Sequence, residues 1–234
     1  MIYNIEDKNH PEKIREYSFE GQFITGRKAR DGYVYIVLNM PLKPSSITPW
    51  YNTKGIRVHV PLSHVYRYKG DHVERPGYVN IISFDLRYPY PSSVTMISLV
   101  TDMQRSIYAT SRFLYLVIAK HADQPIITIH KIYIRQWKIL PFADVDLKGF
   151  ITNQFNLDEY KHYILRVVTT SVARGKTSIN VYTLDHYLNP MGELHILEDH
   201  EATSVRFNKR KLFLGTREGS FGIVSFKCHY SPKF

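Results

Sequence analysis

The chain has 234 residues, 44% of them hydrophobic and 22% charged, enough to bury one or two cores and too apolar for a disordered segment. Its 31 basic against 21 acidic residues give a net charge of +10, a balance suited to an anionic partner such as nucleic acid, an acidic glycan or a membrane surface. No stretch reaches the roughly 18 apolar residues of a spanning helix, and the lone Cys228 excludes an intrachain disulfide or a multi-cysteine metal centre.

The charge is uneven. Residues 203–234 carry seven basic groups and one acidic, whereas 144–201 carry nine acidic and five basic. No homeodomain-like, zinc-finger or RNA-recognition pattern accompanies the basic end, so solvated surface charge is the default reading and a nucleic-acid partner is not expected. Met1 to Glu20 holds eight charged residues and no apolar run, unlike a signal peptide. The default compartment for this chain is therefore cytoplasmic.

In chain order, short runs rich in aromatic and β-branched residues predict strands. Ile2–Ile5 and Lys13–Phe19 come first, then Tyr33–Leu38, Tyr78–Leu86, Phe113–Ala119, Ile126–Ile134, Ile164–Thr170, Ser178–Leu184, Lys211–Gly215 and Phe221–Phe226. Asp31-Gly32, Arg174-Gly175 and Glu218-Gly219 lie between runs, where glycine supplies the positive φ of a tight hairpin. No segment sustains a helical period.

Three segments repeat one order, a short apolar strand, a charged turn and an aromatic or leucine-rich strand, anchored on Tyr35, Tyr115 and Phe213. The anchors lie 80 and 98 residues apart, each close to two blades of about 40 to 50 residues. The predicted fold is all-β: an arc of a β-propeller, about four blades of four-stranded antiparallel sheet in a single domain over 1–234. A partial blade covers 1–20, blades follow over about 21–100, 101–141 and 151–197, and a partial blade covers 203–226. Such an arc leaves its ring incomplete unless its terminal strands share a blade or a homodimer completes it. Residues 41–77 read as a long loop insertion within the first full blade. Long loops of this kind often bind, and Trp50, Tyr51, Tyr66 and Tyr68 are its candidate partner-binding residues; covering a neighbouring blade is the alternative role.

The stretch from Asn153 to Tyr160 (NQFNLDEY), with Leu165 to Thr170 (LRVVTT), resembles the hallmark segment of archaeal and bacterial secreted proteins whose C-terminal β-propeller is distantly related to WD repeats. Similar stretches run from Tyr78 to Leu86, at Ile107 to Thr110 with Leu114 to Leu116, at Thr128 to Lys131, and at Ser204 to Phe207. The resemblance implies a fold, since that family has no assigned activity, substrate or catalytic residues. Its members are longer and begin with an export or anchor segment, so this chain matches their C-terminal part. It would be extracellular if it is the C-terminal part of a longer exported protein.

Asp158 and Glu159 near Arg166 would suit acid–base chemistry if burial separated their pKa values, but neighbours on a strand face opposite sides. An ion-pair and hydrogen-bond network between blades, with Asn153 and Gln154 satisfying backbone groups, is the expected role. Gly175-Lys176-Thr177 imitates the end of a phosphate-binding loop but precedes a strand, and reads as a hairpin turn. Asp144 to Gly149 resembles the start of a calcium loop, yet Lys148 takes a ligand position and Phe155 stands where the bidentate Glu belongs. The pairs His59/His64 and His195/His200 have no diagnostic metal spacing. No catalytic residue, cofactor or metal ligand is assigned. The expected function is a non-catalytic scaffold for a protein partner. The alternatives are a ligand-binding or hydrolytic propeller acting on carbohydrate through a central channel, and polyanion binding through Lys209-Arg210-Lys211.

Overall fold

A computed structural model describes residues 1–28, 32–42, 48–68, 73, 76–87, 94–102, 106–120 and 124–226, without the side chains of 197 and 198. Asp31, Cys228 and parts of the 41–77 segment lie outside the described residues. The chain divides into two compact units, one of Met1–Ile118 with His130–Phe142, the other of Ala119–Ile129 with Ala143–Phe234.

The first unit begins with β1 (Ile2–Asn4), β2 (Glu12–Arg15), β3 (Tyr17–Phe19), β4 (Gln22–Lys28) and β5 (Tyr33–Pro41). It continues through β6 (Trp50–Thr53), β7 (Ile56–His59), β8 (Val65–Tyr66), β9 (Pro76–Asp85) and β10 (Val94–Asp102). Five of these make one sheet in the order β4-β5-β9-β10-β8, in which β8 is the parallel member. Strand β9 is buried at every position after Pro76. It does not alternate because both faces are covered. Val79 and Ile81 join a core with Ile97, Leu99, Leu114 and Leu116 on one side, while Ile82 and Phe84 meet Leu38, Val60 and Met96 on the other.

The segment expected to be a loop carries structure. Strands β6 and β7 form a hairpin that pairs with β3 in the order β3-β6-β7. Lys54 at φ 51° and Gly55 at φ 78° form its two-residue turn, with the positive dihedrals of a type I′ hairpin. The hairpin lies against the blade it interrupts: Tyr51 and Val60 pack with Phe19, Ile82 and Phe84. Expected as one strand, Lys13–Phe19 divides at Glu16, so β2 pairs with β1 and β3 with β6.

Strands β11 (Ser106–Ala109), β12 (Phe113–Lys120), β13 (Ile126–Arg135) and β14 (Lys138–Lys148) form a four-stranded sheet in chain order, whose strands are divided between the two units. In the second unit, β15 (Leu157–Tyr160), β16 (Ile164–Ala173), β17 (Lys176–Leu184) and β18 (Pro190–Glu198) repeat that order, followed by β19 (Ala202–Asn208), β20 (Lys211–Thr216) and β21 (Phe221–Ser225). Arg174 and Gly175, at φ 51° and 76°, close the β16–β17 hairpin, so the phosphate-loop-like tripeptide is a turn leading into a strand. Val168, Ile179 and Val181 pack against Val205, Leu212 and Leu214 between these two sheets.

Two residues tie local geometry to stability. Asp85 ends β9, where Arg87 donates to its carboxylate through Nε at 3.0 Å and Nη2 at 2.9 Å, and this pairing holds Asp85 down from its ordinary 3.8 to about 2. Unfolded, the carboxylate protonates near pH 4, so the pairing contributes its full stability above about pH 4 and loses it as pH falls towards 2. Gly149 sits at φ 100°, and a Cβ there would lie 2.5 Å from the Thr170 carbonyl oxygen and 2.8 Å from Thr169 Oγ1. An acid titration followed by circular dichroism should therefore show a shallower loss of stability between about pH 4 and 2 in Asp85→Asn than in the parent chain. Gly149→Ala should cost about 2 kcal/mol or more in urea denaturation; an unchanged midpoint would contradict the close approach.

Candidate functional site

Arg166 is the third residue of β16, opposite Asp158 on β15. Its side chain is only 3% exposed. A guanidinium remains charged when buried, so it needs acceptors on several sides. Nε donates to Asp158 Oδ2 at 2.9 Å, Nη2 makes a second, short contact with the same oxygen, and Nη1 donates to the Lys209 carbonyl at 2.7 Å. Rings complete the enclosure: the guanidinium carbon lies 4.7 Å from the centroids of Tyr160, Phe207 and Phe226. This cation–π arrangement fastens β16 to the β19–β20 turn.

Glu159 does not join it. The Glu159 carboxylate, 4% exposed, faces His162 Nδ1 at 3.4 Å, on the other side of the strand from the Asp158–Arg166 pair. The two carboxylates therefore do not form an acid–base pair.

Just before β15, Asn153 accepts from the Phe155 N–H at 2.9 Å and starts a 3-10 turn over Gln154–Asn156. Asn156 returns the contact by accepting from the Asn153 N–H at 3.2 Å, and donates through Nδ2 to the Val168 carbonyl at 2.9 Å. Asn156 is the buried tie in this turn and was not singled out in the sequence. Its signal was the reciprocal Asn-x-x-Asn spacing, which has the form of a capping box.

The aromatic candidates of the insertion do not come together. Tyr51 packs on Phe19 with ring centroids 5.8 Å apart. Tyr66, partly buried, packs against the apolar core, and Tyr68 stacks on the buried His130 at 4.3 Å and donates to the Lys131 carbonyl at 3.3 Å. Trp50 faces the other way, with the Arg57 guanidinium 4.3 Å from its ring. Asp144 to Lys148 lie in a strand, and Asp146 accepts from Lys120 at 3.0 Å and Thr128 at 2.6 Å. His195 meets Asn180, and His59 meets Thr48 at 3.5 Å. Among the described residues no three His, Cys, Asp or Glu side chains gather as for a metal ion, and no helix is long and apolar enough to cross a membrane. Beside Arg166 opens a cleft of about 510 Å³ lined by Tyr160, Asn208, Lys209, Arg210 and Lys211.

Consecutive four-stranded antiparallel sheets, each with its strands in chain order, are the blades of a β-propeller. The sequence profile described as Beta propeller domain matches residues 1–218, and the chain belongs to this family. Among curated proteins none matches the chain.

The Arg166 centre makes a stability prediction. Asp158→Ala, which leaves a buried guanidinium without its carboxylate, should cost about 3 kcal/mol in urea denaturation, and the joint change Asp158→Leu with Arg166→Met should cost less than that single change. Additive losses would show the two groups uncoupled.

Proposed function

We propose that this propeller is a non-catalytic scaffold whose protein partner docks on the outward face of the β6–β7 hairpin. One observation carries the reading: the hairpin presents Trp50 capped by Arg57, the two residue types most enriched at interface hot spots, on a fixed support. Strand alternation turns Trp50, Asn52, Arg57 and His59 to one face, and sends Tyr51 and Val58 towards Phe19 and the core. Ordering this hairpin costs nothing on binding because its inner face is already packed, and preorganisation of that kind favours affinity.

The resemblance to secreted proteins with a C-terminal propeller distantly related to WD repeats supports the same reading, since that resemblance carries a fold and no reaction. The test is affinity capture from the native source with the purified chain, then reconstitution of a defined complex with the recovered protein. Trp50→Ala should weaken that complex at least about tenfold while leaving the folded spectrum intact. Release of reducing sugar from glycans by the purified chain would overturn the proposal in favour of a carbohydrate-active propeller.

A further inference from the structure

The cleft beside Arg166 has a charge pattern that the hairpin surface does not share. Among the described residues its lining, Tyr160, Asn208, Lys209, Arg210 and Lys211, contains three cations and no acid. Lys161 adds a fourth cation, with its ammonium 5.5 Å from the Tyr160 ring. Asp158, on β15 with Tyr160, is committed to the buried Arg166. Cations at a turn ordinarily sway in solvent, but here the backbone that carries them is pinned from below. Arg166 Nη1 holds the Lys209 carbonyl at 2.7 Å, and the Phe226 N–H holds the Arg210 carbonyl at 2.8 Å. Phe226 in turn lies on the Arg166 guanidinium. The buried ion pair thus sets the position of the turn bearing Lys209 and Arg210, with Lys211 next in the chain.

We propose that this cleft binds an acidic peptide segment, rich in Asp or Glu, of a protein partner; the proposal rests on the scaffold reading but uses a different surface. Carboxylates suit an array of fixed cations in a cleft, since charge-assisted hydrogen bonds form without first ordering the turn. Single-stranded nucleic acid is the weaker fit. It calls for aromatic faces on which bases stack, and the one ring lining this cleft among the described residues, Tyr160, is already engaged by the Arg166 guanidinium at 4.7 Å and by Lys161.

The test uses the full chain and fluorescence anisotropy with a labelled oligoglutamate peptide, oligo(dT) serving as the competing probe. Oligoglutamate should bind at low salt and weaken as salt is raised, because the contacts are solvent-exposed charges. Lys209→Asn with Lys211→Gln should weaken binding at least about tenfold; Asn is chosen because Lys209 sits at φ 52°, a conformation Asn tolerates. A charge-matched control, Lys8→Ser with Lys28→Ser, should change it less than about twofold. Equal losses in the two double variants, or no loss in the first, would overturn the site, and tighter binding of oligo(dT) than of oligoglutamate would replace it with a nucleic-acid site. The two readings fail separately: a partner complex weakened by Trp50→Ala but not by the Lys209/Lys211 change keeps the scaffold and removes the cleft, while oligoglutamate binding without any reconstituted partner does the reverse.

Discussion

The inner strands of these sheets, β9, β12, β13 and β16, are buried on both faces, and much of the structure depends on that. A strand such as β9, buried on each side, must be apolar or hydrogen-bonded throughout, because no face is left for water. Several of the polar residues that enter such strands pair with one another. Ser98 donates to Asn80 at 2.8 Å, and in the second unit Asn180 donates to Ser171 at 2.9 Å while its oxygen meets His195. Burial also acts on ionisation: the Tyr182 phenol is pushed up to about 12, chiefly by desolvation and then by Glu193.

Arg166 is the extreme case of the same constraint. Burying a permanent cation in a covered strand is costly unless every side of the guanidinium is answered. One carboxylate, one carbonyl and three rings answer it. Because the carbonyl belongs to Lys209 and two of the rings to Phe207 and Phe226, the solution to a local problem on β16 becomes the fixture that orients the β19–β20 turn. A stability device and a candidate binding surface share one group.

The two surfaces proposed for recognition are built by different means. The β6–β7 hairpin is supported by apolar packing of its inner face, and it offers an aromatic and a guanidinium side by side. The cleft is supported by a buried ion pair and offers a cluster of cations. Salt should distinguish them, since screening acts on exposed charges and hardly on the burial of an indole ring.

How far the sequence could be read follows from how local each signal is. Strand runs and the Arg174-Gly175 turn depend on neighbours a few residues apart, so the all-β fold and its hairpins were legible. Strands β6 and β7 were not: at four residues each, among prolines, they are too short to show a period, and they exist because β3 and the β9 face give them something to pair with and cover. The opposition of Asp158 and Glu159 was legible from alternation alone, whereas the enclosure of Arg166 by Phe207 and Phe226 spans some 40 to 60 residues and leaves no periodic trace. By itself the sequence determined strands, turns and the family of fold, because backbone preference and alternation are properties of adjacent residues. Only the tertiary structure decided that an apparent loop contains a packed hairpin, that Tyr51 packs on Phe19 while the half-buried Trp50 takes the opposite face of its strand, and that the backbone of the basic turn is held in place. Those outcomes depend on burial and hydrogen bonding between segments that are distant along the chain.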